Sequence, residues 1–281
     1  IQHSFKCSKV GIKPSVTVGS FHSLAIKEDG SLWAWGRNTK GQVGDGTTDS
    51  PCTLPKKVLD NVMAAAGGYD HTLAVKTDGS LWAWGNNDEG QLGDGTKESS
   101  LVPKKIMDNV VAVSAYNGRS YAIKSDGSLW TWGHSYLGNG FRSSSNSPVK
   151  ILNDIIAVSG GSHVLAVAKN GNLWGWGYNS DLFYPLTSAV GEEVLSPKVI
   201  LNNVVLACAG GFFSLAAKSD GYLYSWGSNS YGELGNTSAG SISTTPIKVN
   251  TLYNVKAIAA GEDQAMAINN DDCLYTWGRN N

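Results

Sequence analysis

Histidine is the residue type in this sequence best suited to metal binding or acid–base chemistry, and five histidines are spread along 281 residues. Three of them, His22, His71 and His163, lie at the same position of a repeated stretch of sequence. The other copies carry at that position Arg119, Phe213 and Gln264. Because Phe and Gln cannot do the chemistry of an imidazole, this position is predicted to be structural, and no metal site is expected.

Motifs of catalysis and cofactor binding are absent from the sequence. The patterns GxSxG, HExxH and the phosphate-binding P-loop do not occur. Asp45 and Asp94 recur beside glycines without the D-x-D-x-D-G run of a calcium loop, so they are predicted to form turns. The four cysteines show no CxxC spacing, which predicts no structural zinc. The sequence therefore predicts a protein that is not an enzyme and needs no cofactor.

A second set of residues is better suited to binding another protein. The two residues before the histidine position vary from copy to copy while their neighbours repeat. Aromatic side chains in such a loop could supply the core of an interface, and the acids beside them would favour a basic patch on the partner. The candidate partner-binding residues are Phe21, Tyr69, Asp70, Phe212, Glu262 and Asp263, with Tyr116 nearby.

The elements that must position these loops follow from six Trp-Gly pairs, spaced 44 to 51 residues apart. The pairs begin at Trp35, Trp84, Trp132, Trp176, Trp226 and Trp277. A period of this length is typical of a propeller or a solenoid. In the second copy the predicted strands are Val62–Gly67, Leu73–Lys76, Ser80–Trp84 and the short Pro103–Ile106.

The turns between the second and third strands carry Asp-Gly, as at Asp29-Gly30 and Asp78-Gly79, and are predicted to be type I′ hairpins. The sixth copy has Asp271-Asp272 instead. The third strand is apolar on both faces, so each sheet must be covered on two sides by its neighbours.

These features predict an all-β fold, a β-propeller of six four-stranded blades that form one domain over residues 1–281. The predicted repeats are 11–58, 59–106, 107–151, 152–200, 201–249, and 250–281 completed by 1–10. The last copy stops after its third strand, so the N-terminal segment is expected to supply the fourth and close the ring. Cys7 would then lie on the strand beside that of Cys273, and a disulfide between them is one outcome of this arrangement.

On such a ring, the candidate residues of blades five, six, one and two would form one contiguous arc. The alternative is that Phe21 and Phe212 fill the mouth of the central channel.

The run GxxH(S/T)LA(I/V)KxDGSLWAWGxNxxGQ(L/V)GDGT, present in Gly19–Thr47 and Gly68–Thr96, resembles the regulator of chromosome condensation repeat family. The resemblance covers nearly the whole chain and suggests a bacterial-type member. It implies a β-propeller that serves as a platform for protein interaction. Members of that family include guanine-nucleotide exchange factors, ubiquitin-ligase modules, a plant photoreceptor and a β-lactamase inhibitor. The fourth copy departs from the pattern over Asp181–Glu193, which contains Phe183, Tyr184 and Pro185.

Charge and hydropathy limit the kinds of partner. The chain has 22 Lys and Arg against 23 Asp and Glu, a net charge of −1, which gives no attraction to nucleic acid. No apolar run reaches the ~20 residues of a membrane helix, so membrane insertion is not expected. The sequence thus predicts a monomeric, non-catalytic interaction scaffold whose loops bind a protein partner. The alternative is a regulator of an enzyme, either an exchange factor or an inhibitor. The low content of Lys and Glu favours an extracellular or cell-surface location.

Overall fold

A computed structural model describes residues 13–178, 193–236 and 240–280. Over these residues the chain forms 23 strands in six antiparallel sheets, and none of them lies in an α-helix. No helix able to span a membrane is found in the described part of the chain. The chain divides between Asp154 and Ile155 into two compact units, each of which contains three sheets.

The unit before Ile155 holds three four-stranded sheets, in each of which the strands follow one another in chain order. Its strands are β1 (Ser15–Val18), β2 (His22–Ile26), β3 (Leu32–Gly36), β4 (Cys52–Leu59), β5 (Val62–Gly67), β6 (His71–Lys76), β7 (Leu81–Gly85), β8 (Ser100–Met107), β9 (Val110–Tyr116), β10 (Arg119–Lys124), β11 (Leu129–Gly133) and β12 (Ser145–Leu152).

The unit that begins at Ile155 holds two four-stranded sheets and a third sheet with three described strands. Its strands are β13 (Ile155–Gly160), β14 (His163–Ala168), β15 (Leu173–Gly177), β16 (Val194–Leu201), β17 (Val204–Ala209), β18 (Phe213–Lys218), β19 (Tyr222–Ser228), β20 (Ile242–Tyr253), β21 (Val255–Ala260), β22 (Gln264–Asn269) and β23 (Leu274–Gly278). The prediction of six sheets, one for each Trp-Gly pair, is confirmed. Residues 1–10 lie outside the described residues, as do Cys7 and the variable segment 179–192, so closure of a ring and the Cys7–Cys273 pair stay predictions.

The hairpin between the second and third strands differs from the predicted type I′ turn. Positive φ occurs at Gly30, at 77°, and not at Asp29, whereas type I′ needs it at both central residues. The Gly30 N–H donates to the Lys27 carbonyl at 2.9 Å, and the Lys27 N–H donates to the Ser31 carbonyl at 3.0 Å. This is the pattern of a β-turn followed by a glycine bulge. The aspartate is used because its Oδ1 accepts the Ser31 N–H at 2.9 Å. In the sixth sheet Asp272, with φ 63°, takes the glycine's place.

The fourth strands are longer than predicted. The second copy has eight residues, Ser100–Met107, where the sequence suggested Pro103–Ile106, and β20 has twelve. These strands lie at the edge of their sheets and pair on one side only. An edge strand tolerates lysines and a proline, so the sequence of its polar ends does not predict a strand.

The core between neighbouring sheets of a unit is built from small first strands and large third-strand tryptophans. In the unit before Ile155, Ala66 and Leu73 of one sheet pack in one cluster with Val113 and Trp132 of the next. Trp84 and Trp132 are fully buried. The Trp84 Nε1–H donates to the Gln42 carbonyl of the preceding sheet's loop at 3.0 Å. The Trp132 Nε1–H donates in the same way to the Gln91 carbonyl at 2.9 Å, so each of these two tryptophans fixes the loop of the preceding sheet.

Candidate protein-binding site

The variable dipeptides lie in the loops between the first and second strands, and main-chain bonds hold these loops in place. The Ser20 N–H donates to the Gly68 carbonyl at 3.0 Å, and the Tyr69 N–H donates to the Asn117 carbonyl at 2.8 Å. Three successive loops of the unit before Ile155 are thereby joined. Phe21, Tyr69 and the residues beside Tyr116 belong to one continuous surface.

Phe21 and Tyr69 form an exposed aromatic pair. Their ring centroids are 5.2 Å apart and the ring planes meet at 89°, an edge-to-face contact. Phe21 is 51% exposed and Tyr69 is 42% exposed. Two aromatic rings held in a fixed geometry and open to solvent are suited to the centre of a protein interface.

An arginine that sequence reasoning missed completes this pair. The guanidinium carbon of Arg37 lies 5.2 Å from the Phe21 ring centroid and 6.0 Å from that of Tyr69. Its Nε–H donates to Thr39 Oγ1 at 3.1 Å. Among the described residues, its two terminal amino groups have no hydrogen-bond partner, and the side chain is 38% exposed. We call Phe21, Arg37 and Tyr69 the arginine–aromatic cluster.

The residue after each Trp-Gly pair is the signal that could have located Arg37. Strands β2 and β3 pair His22 with Gly36, which puts the residue just before β2, Phe21, opposite the residue just after β3, Arg37. The Arg37 N–H donates to the Phe21 carbonyl at 2.8 Å. The same bond joins Asn86 to Asp70, His134 to Gly118, Ser228 to Phe212 and Arg279 to Asp263. The variable dipeptide and the residue after Trp-Gly therefore form one surface.

Asp70 differs from the exposed acid that the sequence suggested. It is only 7% exposed, because its Oδ1 accepts a 2.7 Å hydrogen bond from Gln42 Nε2. The Arg37 Nε lies 3.9 Å from the same oxygen, within ion-pair range but beyond a hydrogen bond. Asp70 thus helps to position its neighbours, and its part in partner binding stays a prediction.

Tyr116 is half-buried at the end of β9. The guanidinium carbon of Arg119 lies 5.9 Å from the Tyr116 ring centroid, and Arg119 itself is buried. Burial also raises the pKa of Tyr121, which Arg119 partly offsets. Tyr116 is therefore less open than Phe21 and Tyr69, and its part in partner binding stays a prediction.

The unit that begins at Ile155 has its own arginine beside aromatic and acidic residues. Arg279 Nη1 lies 3.3 Å from Asp263 Oδ2, and its guanidinium carbon lies 4.8 Å from the Tyr231 ring centroid. Phe212 and Glu262 are exposed. The Gly211 N–H donates to the Glu262 carbonyl at 3.2 Å, so the loops of Phe212 and Glu262 adjoin. That these residues form one arc with Phe21 and Tyr69 stays a prediction.

The histidine position is occupied by buried, neutral imidazoles. The Thr72 hydroxyl donates to the Gln42 carbonyl at 2.7 Å, so His22 Nε2, at 2.9 Å from Thr72 Oγ1, must donate to that oxygen. His71 Nε2 contacts Ser120 Oγ in the same way at 2.9 Å. Burial lowers the pKa of His22 to about 4 and that of His71 to about 3. The hydrogen bonds from His22 to Thr72 and from His71 to Ser120 join neighbouring sheets, which gives these imidazoles a structural role. No cluster of metal-binding side chains occurs in the parts of the chain that the structure describes.

Comparison with known proteins shows the family. A model described as the RCC1-like domain matches residues 60–281, and models of the regulator of chromosome condensation (RCC1) repeat match residues 29–75 and 15–42. This chain belongs to the RCC1 family. The resemblance found in the sequence is confirmed, and the six sheets are the blades of an RCC1-type β-propeller.

Solved RCC1-type structures share the fold of this chain. Human WBSCR16 superposes with a TM-score of 0.84 at 24% identity. The superposition covers 97% of this chain and 78% of the WBSCR16 chain. Prp20p of Saccharomyces cerevisiae gives a TM-score of 0.80 at 24% identity, with 94% and 71% covered. At this identity the likeness shows the fold alone.

A curated RCC1-type relative shares a shorter stretch. The RCC2 homolog of Danio rerio is 44% identical over 50 residues, 17% of this chain and 10% of the relative. The matched stretch is thus a small part of the relative, whose activity does not carry over. These relatives come from eukaryotes, and they give no support to a bacterial-type or secreted member.

Proposed function

We propose that this chain is a non-catalytic protein-binding module that contacts its partner through the loops between the first and second strands of its blades. The observation that carries the proposal is the arginine–aromatic cluster. Phe21 and Tyr69 expose about half of their surface yet are fixed against each other and against Arg37. An interface core built on such residues needs little ordering when the partner binds.

The family supports a binding role. The yeast RCC1 protein Prp20 has been solved bound to Kap60, and its binding to Gsp1p and histones is described with its structure. Those partners belong to Prp20, and this chain's own partner is left open. The family thus favours protein binding as the class of function.

Capture of a partner from a lysate by the tagged chain tests the proposal. We expect a protein that binds the native chain to be lost when Phe21→Ala and Tyr69→Ala are combined. Both side chains are exposed, so the double variant should keep its thermal midpoint. The matched control is Tyr253→Ala, an equally exposed aromatic at 58%, which pairs with Tyr222 beside the hairpin turn and so lies away from the variable loops.

Equal capture by the native chain and the double variant would show that these loops are not the binding site. Loss of capture by the control as well would indicate non-specific adsorption to exposed aromatics. The effect of the chain on the activity of the captured partner then separates a scaffold from the regulator considered as the alternative.

A further inference from the structure

We propose, on the basis of the protein-binding function above, that the arginine–aromatic cluster recognises an acidic segment of the partner. The ligand group would be an Asp or Glu carboxylate that binds the two terminal amino groups of Arg37. An apolar side chain next to it would cover Phe21 and Tyr69.

The geometry of Arg37 fits a carboxylate. Its Nε–H is already used by Thr39, while its two terminal amino groups have no partner among the described residues. A guanidinium presents these groups in one plane and binds both oxygens of a carboxylate at once. The Phe21 and Tyr69 rings lie within about 6 Å of the guanidinium carbon and exclude water from part of its surface. Partial exclusion of water strengthens an ion pair formed there.

The acid nearest to Arg37 does not compete for this site. Asp70 is bound by Gln42 at 2.7 Å and is nearly buried, and its nearest oxygen lies 3.9 Å from Arg37 Nε. It therefore holds the guanidinium in place without occupying the terminal amino groups. The open charge of the cluster is thus positive. At this cluster we thus infer an acidic ligand, whereas the expectation from the sequence, that acids in these loops would favour a basic patch on the partner, stays a separate prediction.

The second arginine of this type supplies the contrast. Arg279 also stacks on an aromatic ring, that of Tyr231, but its Nη1 lies 3.3 Å from Asp263. That guanidinium already has an internal carboxylate, so the assignment is made to Arg37. Arg279 serves as a control that matches it in residue type and in position after Trp-Gly.

Phosphate groups also bind arginine, but the charge of the chain favours a protein ligand. Affinity for nucleic acid depends on many cations that contact successive phosphates. The net charge here is −1, and the nearby Lys40 pairs with Asp88 at 3.4 Å. One guanidinium beside two aromatic rings, with its terminal amino groups available, suits a single carboxylate on a protein surface.

The test uses the full chain and a phage-displayed library of random twelve-residue peptides. We expect the selected peptides to share Asp or Glu next to an aromatic or aliphatic residue. Their dissociation constants, measured by fluorescence polarisation, should rise about 10- to 100-fold for Arg37→Gln, in line with the loss of one charge-assisted bidentate contact. Arg37→Lys should weaken binding by a smaller factor, because it keeps the charge and loses the planar pair of donors. Arg279→Gln should leave the constants unchanged.

Selected peptides without acidic residues, or acidic peptides that bind Arg37→Gln as well as the native chain, would overturn the inference. If such peptides still depended on Phe21 and Tyr69, the proposed function would stand. A complete failure to select peptides would count against both. Tighter, Arg37-dependent binding of a labelled single-stranded oligonucleotide would assign the cluster to phosphate instead.

Discussion

Acidification is expected to destabilise this protein through two buried histidines. The pKa of His22 is about 4 and that of His71 about 3 in the folded chain, against about 6.5 for an exposed histidine. The unfolded chain therefore binds more protons than the folded chain once the pH falls below 6.5. The stability contributed by the neutral imidazoles is complete above that pH and is lost progressively toward pH 4 and pH 3.

The size of the loss follows from the difference between the unfolded and the folded pKa of each histidine. At pH 4.5 both imidazoles are protonated in the unfolded chain and mostly neutral in the folded chain. Each pKa unit corresponds to ~1.4 kcal/mol, so two pH units below 6.5 cost roughly 5 kcal/mol for the pair. Aspartates whose pKa is lowered in the folded chain contribute little in this window, because an unfolded aspartate is still mostly ionised at pH 4.5. Burial raises the pKa of Asp94, for example, but the hydrogen bonds from Lys104 and Thr96 together outweigh it and hold that pKa at about 2.

Urea unfolding between pH 7.5 and 4.5, followed by tryptophan fluorescence, measures this loss. The informative variant is His71→Gln, since Gln264 occupies the same position in the sixth sheet and an amide can donate to Ser120 without titrating. The variant starts less stable at pH 7.5 but should lose about 3 kcal/mol less than the native chain on going to pH 4.5. Parallel stability curves for the two proteins would refute the assignment of the acid sensitivity to His71. A histidine NMR titration gives an independent reading, in which the His71 ring should stay in its Nε2–H form to below pH 5.

Two further substitutions test the packing of the sheets. Gly68→Ala should lower the free energy of unfolding by about 2 kcal/mol or more, because a Cβ there would overlap the His71 ring. Gly240→Ala is the control in urea denaturation: no described residue lies within 4 Å of a Cβ added there, so the free energy of unfolding should change by less than about 0.5 kcal/mol. Equal effects of the two substitutions would contradict the overlap. Trp84→Phe removes the donor to the Gln42 carbonyl and leaves a gap, so it should lower the free energy of unfolding by about 2 kcal/mol. Trp82 is half-buried, so Trp82→Phe should lower it by less than about 1 kcal/mol. A thermal midpoint for Trp84→Phe as high as that for Trp82→Phe would show that the buried indole does not fix the loop.

The strands that pack against a neighbouring sheet could be predicted from the sequence. Val62–Gly67 is predicted and observed with the same bounds, because its small residues must pack against a neighbouring sheet. The outer strand Ser100–Met107 was underestimated, since a strand paired on one edge need not be apolar. The hairpin type was wrong because Asp-Gly also suits a turn whose aspartate has negative φ and whose glycine forms a bulge.

The candidate site could be predicted only in part. Variation at the dipeptides indicated which loops face solvent, and Phe21 and Tyr69 are exposed there. Arg37 was missed because only the register of β2 with β3 places it opposite Phe21. The burial of the Asp70 carboxylate could not be predicted, because its partner, Gln42, lies 28 residues earlier in the chain.

The same register explains how one fold can carry different binding surfaces. The bonds that hold each variable loop, such as Arg37 N–H to the Phe21 carbonyl and Ser228 N–H to the Phe212 carbonyl, involve main-chain atoms alone. The repeated side chains, by contrast, are those that fix sheets to one another, as Trp84 and Thr72 do at the Gln42 carbonyl. Exposed side chains at the loop positions, such as Phe21 and Tyr69, therefore take little part in holding the fold, whereas the buried Asp70 does take part. Substituting the exposed ones should change which partner binds while leaving the free energy of unfolding nearly unchanged.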